Sequence, residues 1–163
     1  MKKSITIVLA SDSHMARAPL EYVRRAHPEA DYFLYCGDSE LPRQAMEGWA
    51  AVRGNNDSYG EYPEELILKI GGHQIYMTHG HMDMIWHKYD QLAAKAKRKG
   101  CDICCFGHTH VYYDGELNGV RMLNPGSMRY NRDRSPSCYM LVTLDGSNVC
   151  VQRKNLPEGL GQF

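Results

Sequence analysis

ITIVLASDSH, residues 5–14, sets six apolar or β-branched residues directly before two metal-ligating side-chain types, Asp12 and His14. A strand with one wet face alternates apolar and polar residues. A continuous run such as Ile5 to Ala10 reads instead as a strand covered on both faces, the kind found inside a parallel sheet. The polar pair then falls at the carboxyl end of that strand, where open α/β sheets build their sites.

The next segments extend this pattern. Pro19 to Ala26 reads as a helix, with a proline in its first turn, Arg24 and Arg25 near its end and Pro28 as a stop. Asp31 to Cys36 reads as a second strand, Leu41 to Trp49 as a short helix and Ala50 to Arg53 as a third strand. A βαβαβ order calls for parallel strands with crossover helices. Beyond it, Glu65 to Ile70 and His73 to Thr78 form a hairpin about Gly71-Gly72. Asp83 caps a helix that runs to about Lys99, with Gly100 as its stop and Ile85, Tyr89, Leu92 and Ala96 as its apolar stripe. Lys95, Lys97, Arg98 and Lys99 read as a solvated face that suits the helix dipole. Asp102 to Phe106, Val111 to Leu117, Val120 to Leu123, Tyr139 to Leu144 and Val149 to Arg153 complete the strands, with turns at Asn118-Gly119 and Asp145-Gly146. No linker or internal repeat interrupts this order, so residues 1–163 are expected to form a single α/β domain.

The chain of 163 residues is long enough to bury a core, and its 19 basic and 19 acidic residues cancel. A neutral chain has no overall field to draw it to nucleic acid or a membrane surface. No apolar run approaches the roughly 20 residues of a membrane helix, and Asp12 and His14 end the first run too early for a signal peptide. The expectation is a cytoplasmic protein. The six cysteines lie mostly in apolar strand-like segments and lack zinc-site pairing, so they are expected to be packing residues.

Polar residues collect just after strands. SDSH supplies Asp12 and His14, CGDS supplies Asp38, and RGNND supplies Asn55, Asn56 and Asp57. THGH supplies His79 and His81, and FGHTH supplies His108 and His110. Any one fragment is a weak signal; five together at strand ends point to a metal site. Imidazole, carboxylate and amide oxygen without thiolate suit manganese, iron, zinc, cobalt or nickel, whereas calcium prefers oxygen throughout. Asp12, His14, Asp38, Asn55, His79, His108 and His110 are too many for one tetrahedral ion and suit two ions.

In order, Asp12-x-His14, Gly37-Asp38, Gly54-Asn55, His79 and Gly107-His108-x-His110 resemble the motif series of the calcineurin-like metallophosphoesterase superfamily. The compact length and NPGS at Asn124 to Ser127 resemble its small YfcE-type phosphodiesterase branch. The resemblance implies a two-sheet αββα sandwich with the site at its edge. It implies one ion, manganese by expectation, on Asp12, His14, Asp38 and His110, and a second on Asp38, Asn55, His79 and His108, with Asp38 shared. Such a pair makes hydroxide available near neutral pH and neutralises phosphoryl charge, so water attacks phosphorus without a protein nucleophile. Small phosphoesters are the implied substrates, with a dimer or tetramer compatible with the family.

Many members of the superfamily carry histidine where this chain has Asn56. An amide donates a hydrogen bond but is not a general acid, so esters with good leaving groups are the expected substrates. His81 is a candidate to touch phosphate, while Asp57 reads as a brace for its own turn. Arg129, Arg132 and Arg134 read as a solvated loop, and His27, His73 and His87 as ordinary. The competing function is a non-catalytic scaffold, because a retromer subunit of the same fold uses it for protein contacts. A long nucleic acid is not expected, since the chain lacks a basic-aromatic groove.

Overall fold

The computed structural model describes residues 4–58, 60–84 and 88–161. The elements run β1 (Ile5–Ala10), α1 (Ala18–Ala26), β2 (Tyr32–Tyr35), β3 (Ala50–Ala51), β4 (Glu65–Ile70), β5 (His73–Thr78) and α2 (Asp90–Arg98). They continue with β6 (Ile103–Cys105), β7 (Tyr113–Leu117), β8 (Val120–Asn124), β9 (Cys138–Asp145) and β10 (Asn148–Asn155). Two five-stranded sheets result, ordered β10-β9-β1-β2-β3 and β4-β5-β6-β8-β7. In the first, β1, β2 and β3 are parallel; in the second, β5, β6 and β8 are parallel.

The unbroken apolarity of β1 follows from its central place. Ile7 and Leu9 point into a core with Ile75, Met77, Ile103, Leu123, Met140 and Val142 from both sheets. Val8 and Ala10 point the other way, onto Leu20 and Val23 of α1. On the outer side of the second sheet, Tyr76, Cys104 and Met122 meet Leu92, Ala93 and Ala96 of α2. Helix, sheet, sheet and helix therefore form the layers of an αββα sandwich. Full burial of each large side chain stabilises it by about 1.5–3 kcal/mol.

Local readings fail where a segment is short. The 41–49 helix is a single 3-10 turn, Arg43–Met46, held between Pro42 and Gly48. The third strand keeps only two of its expected residues, Ala50 and Ala51. The second helix starts at Asp90, not at Asp83: Asp83 donates its backbone N–H to Gly80 in a turn, and its carboxylate pairs with Lys95 at 3.3 Å. Ile85 of the proposed stripe, like His87, lies outside the described residues, whereas Tyr89, Leu92 and Ala96 are buried as expected. Five cysteines are buried, while Cys150 is exposed on β10. Among the described residues no helix is long and apolar enough to cross a membrane.

Candidate metal centre

All six parallel strands end at one rim, and each delivers part of a polar cluster. Asp12 and His14 follow β1, Asp38 follows β2, and Asn55 follows β3. His79 follows β5, His108 and His110 follow β6, and Asn124-Pro125-Gly126-Ser127 follows β8. The first strands belong to one sheet and the last to the other, so the site straddles the edge of the sandwich.

Asp12 Oδ1 lies 3.3 Å from His110 Nε2, 3.7 Å from His14 Nε2 and 3.9 Å from His79 Nε2. Asp38 Oδ2 lies 3.3 Å from His79 Nε2 and 4.0 Å from His14 Nε2. His14 and His110 face each other through their Nε2 atoms at 3.0 Å. Asn55 Oδ1 sits 3.0 Å from His79 Nε2 and 3.2 Å from His108 Nδ1, tying His108 to the group. The structure therefore brings together all seven residues picked from the sequence. Two tight groups emerge, Asp12-His14-His110 and Asp12-Asp38-His79. Asp12 belongs to both, and Asp38 also reaches a histidine on either side.

Backbone shape explains the choice of residue types. Asp12, His14, Asp38, His108 and His110 all adopt left-handed φ, between 45° and 74°. Aspartate and histidine are among the few side chains enriched there, yet each such residue still costs on the order of 1 kcal/mol. Glycine supplies the clearance between loops. A Cβ on Gly107 would run into Ser11 Oγ and lie 2.7 Å from Asp12 Oδ2, and one on Gly37 would lie 2.7 Å from His79 Nδ1.

A second ring of hydrogen bonds aims the cluster. Asp57 accepts the backbone N–H groups of Gly54 (2.7 Å), Asp38 (2.8 Å) and Glu40 (2.8 Å), so it braces the Asp38 loop as well as its own turn. Glu40 Oε2 accepts from His14 Nδ1 at 2.7 Å, fixing which ring nitrogen faces the site. Sequence reasoning missed Glu40; its place two residues after Asp38 was the available signal. His79 Nδ1 donates to the Cys36 carbonyl (2.7 Å) and His110 Nδ1 to the Tyr130 carbonyl (3.1 Å). The NPGS segment does more than turn. Asn124 Nδ2 donates to Gly107 O and Thr109 Oγ1, and Ser127 Oγ donates to Asp12 O, so it straps the two sheets' loops together.

Asn56 is exposed, but its amide is committed: Nδ2 donates to Asp38 Oδ2 at 3.0 Å and its backbone N–H to Oδ1 at 2.9 Å. His81 stands beside the group, its ring 5.5 Å from His79 and 6.1 Å from His108. Arg129 is not a free loop residue: its Nη1 donates to the His14 carbonyl at 3.1 Å. Arg132 and Arg134 are exposed.

The donors fit a cation. Asp12 is fully buried, and its Oδ1 has no hydrogen-bond partner among the described residues, although three imidazole nitrogens surround it. An unpaired buried carboxylate oxygen is costly unless positive charge compensates it. Burial by itself would raise the Asp12 pKa, but the charges of His79 and His110 and the hydrogen bond from Ser11 hold it below the ordinary carboxylate value. Burial opposes charge on His79 too, yet Asp12 and Asp38 push its pKa up to about 9. Burial and the His79 charge push His108 down to about 4, and the same two causes lower His81. The carboxylate pair thus favours positive charge at its centre, the charge a bound cation would supply, while His108 is held neutral.

Two stacked mixed sheets with imidazole and carboxylate ligands on the strand-end loops define a metallophosphoesterase. The family model for the calcineurin-like phosphoesterase superfamily domain matches residues 5–147, and the chain belongs to that superfamily. It is 36% identical over 151 residues to the probable metallophosphoesterase YsnB of Bacillus subtilis, covering 91% of this chain and 89% of that one. A crystal structure of a predicted phosphoesterase from Streptococcus pneumoniae superposes with a TM-score of 0.86 at 32% identity, covering 98% of this chain and 96% of the other. Vps29 from Entamoeba histolytica, solved with zinc, shares the fold, with a TM-score of 0.79 at 24% identity over 95% of this chain and 94% of that one.

Proposed function

We propose that the protein hydrolyses small phosphodiesters with two divalent cations, manganese first among them. Asp12, His14, Asp38 and His110 would hold one cation, and Asp38, Asn55, His79 and His108 the other. The supporting observation is the buried Asp12 Oδ1, unpartnered among the described residues, with Nε2 atoms of His14, His79 and His110 all within 3.9 Å. When bound, such cations supply an activated water at neutral pH and neutralise phosphoryl charge.

The chain's own residues orient and tune this chemistry. Glu40 keeps the His14 proton on Nδ1 and the lone pair on Nε2. Asn56 spends its amide on Asp38, so it steers a carboxylate and offers no proton to a leaving group. Esters whose leaving groups depart as stable anions are therefore the substrates of choice. His81, beside His79 and His108, would donate a hydrogen bond to a phosphoryl oxygen. The scaffold reading rests on the shared fold of Vps29, and the complete set of seven ligand side chains weighs against it.

The test is turnover of bis-p-nitrophenyl phosphate by protein stripped with chelator and reloaded with manganese, alongside metal content by mass spectrometry. Two equivalents of metal and chelator-reversible turnover are expected. Metal-independent turnover, or full loading with none, would contradict the proposal.

A further inference from the structure

Resting on the phosphoesterase reading, a second feature bears on which esters are taken. Tyr130 is 51% exposed, yet its ring centroid lies 4.7 Å from that of His110 and 6.5 Å from that of His14. One side of the ring meets the metal-ligand side chains and the rest meets solvent. The backbone beneath it is fixed. Tyr130 N–H donates to Ser127 Oγ at 3.1 Å, and its carbonyl accepts from His110 Nδ1 at 3.1 Å. Asn131 closes the loop by accepting from Ser127 N–H (2.8 Å) and donating to Pro136 O (2.8 Å), and Ser137 Oγ donates to Arg129 O (2.7 Å). A lone exposed tyrosine means little; one held rigidly against the ligands is a preorganised platform.

Beside that platform runs a half-open groove of about 560 Å³, walled by Arg129, Tyr130, Arg134, Pro136, Leu156 and Pro157 among others. Its volume lies in the range of small-molecule sites. Two arginines and a single carboxylate, Glu158, give it a positive bias. On the other flank of the centre, the hollow beside His81 holds about 210 Å³, and its carboxylates are ion-paired: Glu64 with Arg53, Asp83 with Lys95 and Glu65 with Lys99. The second hollow has its charges paired, whereas the first carries a surplus cation that favours an anionic ester.

We propose that the Tyr130 groove is the subsite for the organic arm of the diester that does not leave, and that it takes a planar aromatic group, a nucleobase or aryl ring, stacked on Tyr130. Arg134, exposed at the groove, adds a cation for a further phosphate or a polar edge of that arm. Aromatic stacking on a protein ring contributes about 1–3 kcal/mol per base, a factor of roughly 5 to 150.

The experiment compares two esters with the same p-nitrophenolate leaving group, thymidine 5'-(p-nitrophenyl phosphate) and methyl p-nitrophenyl phosphate. Wild type is expected to prefer the thymidine ester, and Tyr130→Ala to cut the ratio of the two kcat/KM values by about tenfold or more, with Tyr130→Phe keeping it. An unchanged ratio in Tyr130→Ala would overturn the proposal. So would loss of bound manganese from Tyr130→Ala, which would place its role at His110. Calorimetric binding of thymidine 5'-monophosphate to the manganese-loaded proteins gives a readout that needs no turnover. Affinity about tenfold weaker in Tyr130→Ala supports the subsite, and equal affinity refutes it. If wild type turned over neither ester but bound the nucleotide through Tyr130, the hydrolase reading would fail while the subsite stood.

Discussion

Imidazole meets carboxylate at both ends of β5, with opposite results. At its start, His73 Nδ1 pairs with Asp102 Oδ2 at 2.6 Å and Nε2 with the Gly146 carbonyl at 2.8 Å. Asp102 Oδ1 accepts the Gln74 N–H, so the group is closed. Gly146 belongs to the β9–β10 turn of the other sheet, which makes His73 a latch between sheets. At the far end of the same strand, His79 Nε2 faces two carboxylates, and Asp12 Oδ1 has no protein donor among the described residues. One histidine finishes the fold and the other leaves it open for a ligand. Carboxylate oxygens that each have a donor mark structure, whereas several ring nitrogens converging on one unpartnered carboxylate oxygen mark a site.

The largest effect should come from closing the backbone clearances at the rim. Gly107→Ala sets a methyl group against Ser11 Oγ and Asp12 Oδ2, so bound metal and turnover should both collapse, with kcat/KM lower by roughly 10³-fold. At the latch, Gly146→Ala meets no atom within 4 Å and strains only its φ of 58°. It should cost about 1 kcal/mol in a denaturant midpoint and leave kcat/KM close to wild type. Equal losses of activity in the two variants would erase the distinction.

Glu40→Gln comes next. It keeps the shape of the His14 partner but removes its charge, and should weaken manganese binding by about 10–100-fold in a calorimetric titration. An affinity equal to wild type would show that Glu40 does not hold His14.

Histidine replacements sharpen the contrast further. His73→Asn strands Asp102 and the Gly146 carbonyl and should cost about 1–3 kcal/mol of stability. His108→Asn suits the left-handed φ of 74° and should leave the metal-free protein within about 0.5 kcal/mol of wild type, while losing the stabilisation that added manganese brings. The reverse order in urea titrations would refute the assignment of the two ends.

The smallest effect is a dependence on pH. Burial lowers the His73 pKa, but the hydrogen bonds to Asp102 and Gly146 outweigh it and raise the pKa above its usual value. A raised folded pKa gives stability that is fully present below about pH 6.5 and fades as pH rises through the folded value. Asp102→Asn should therefore destabilise the protein more at about pH 6 than at about pH 9. A larger penalty at the alkaline end would reverse the sign and remove the ion pair from the account.

The rim was legible because parallel strands end together, so Asp12, Asp38, His79, His108 and His110 could be read as neighbours from their positions after apolar runs. The strands at 5–10, 65–70 and 73–78 were equally plain, since burial on one or both faces writes itself into the pattern. The Asp83 start failed because the same aspartate serves a turn and an ion pair with Lys95, and a capping residue carries no sign of which partner it will find. The 41–49 helix failed because Pro42 and Gly48 leave room for one turn only. The Asn56 amide and the NPGS strap were invisible as roles, because each depends on a partner brought near by the tertiary fold. The latch at His73 was hidden for the same reason: Asp102 and Gly146 lie 29 and 73 residues further along.

A crystal of the protein grown with manganese, measured at the metal's absorption edge, tests the central claim most directly. Two anomalous peaks roughly 3.5–4 Å apart are expected, one among Asp12, His14 and His110, the other among Asp38, Asn55 and His79. Absence of both peaks, with a protein donor instead bonded to Asp12 Oδ1, would contradict it.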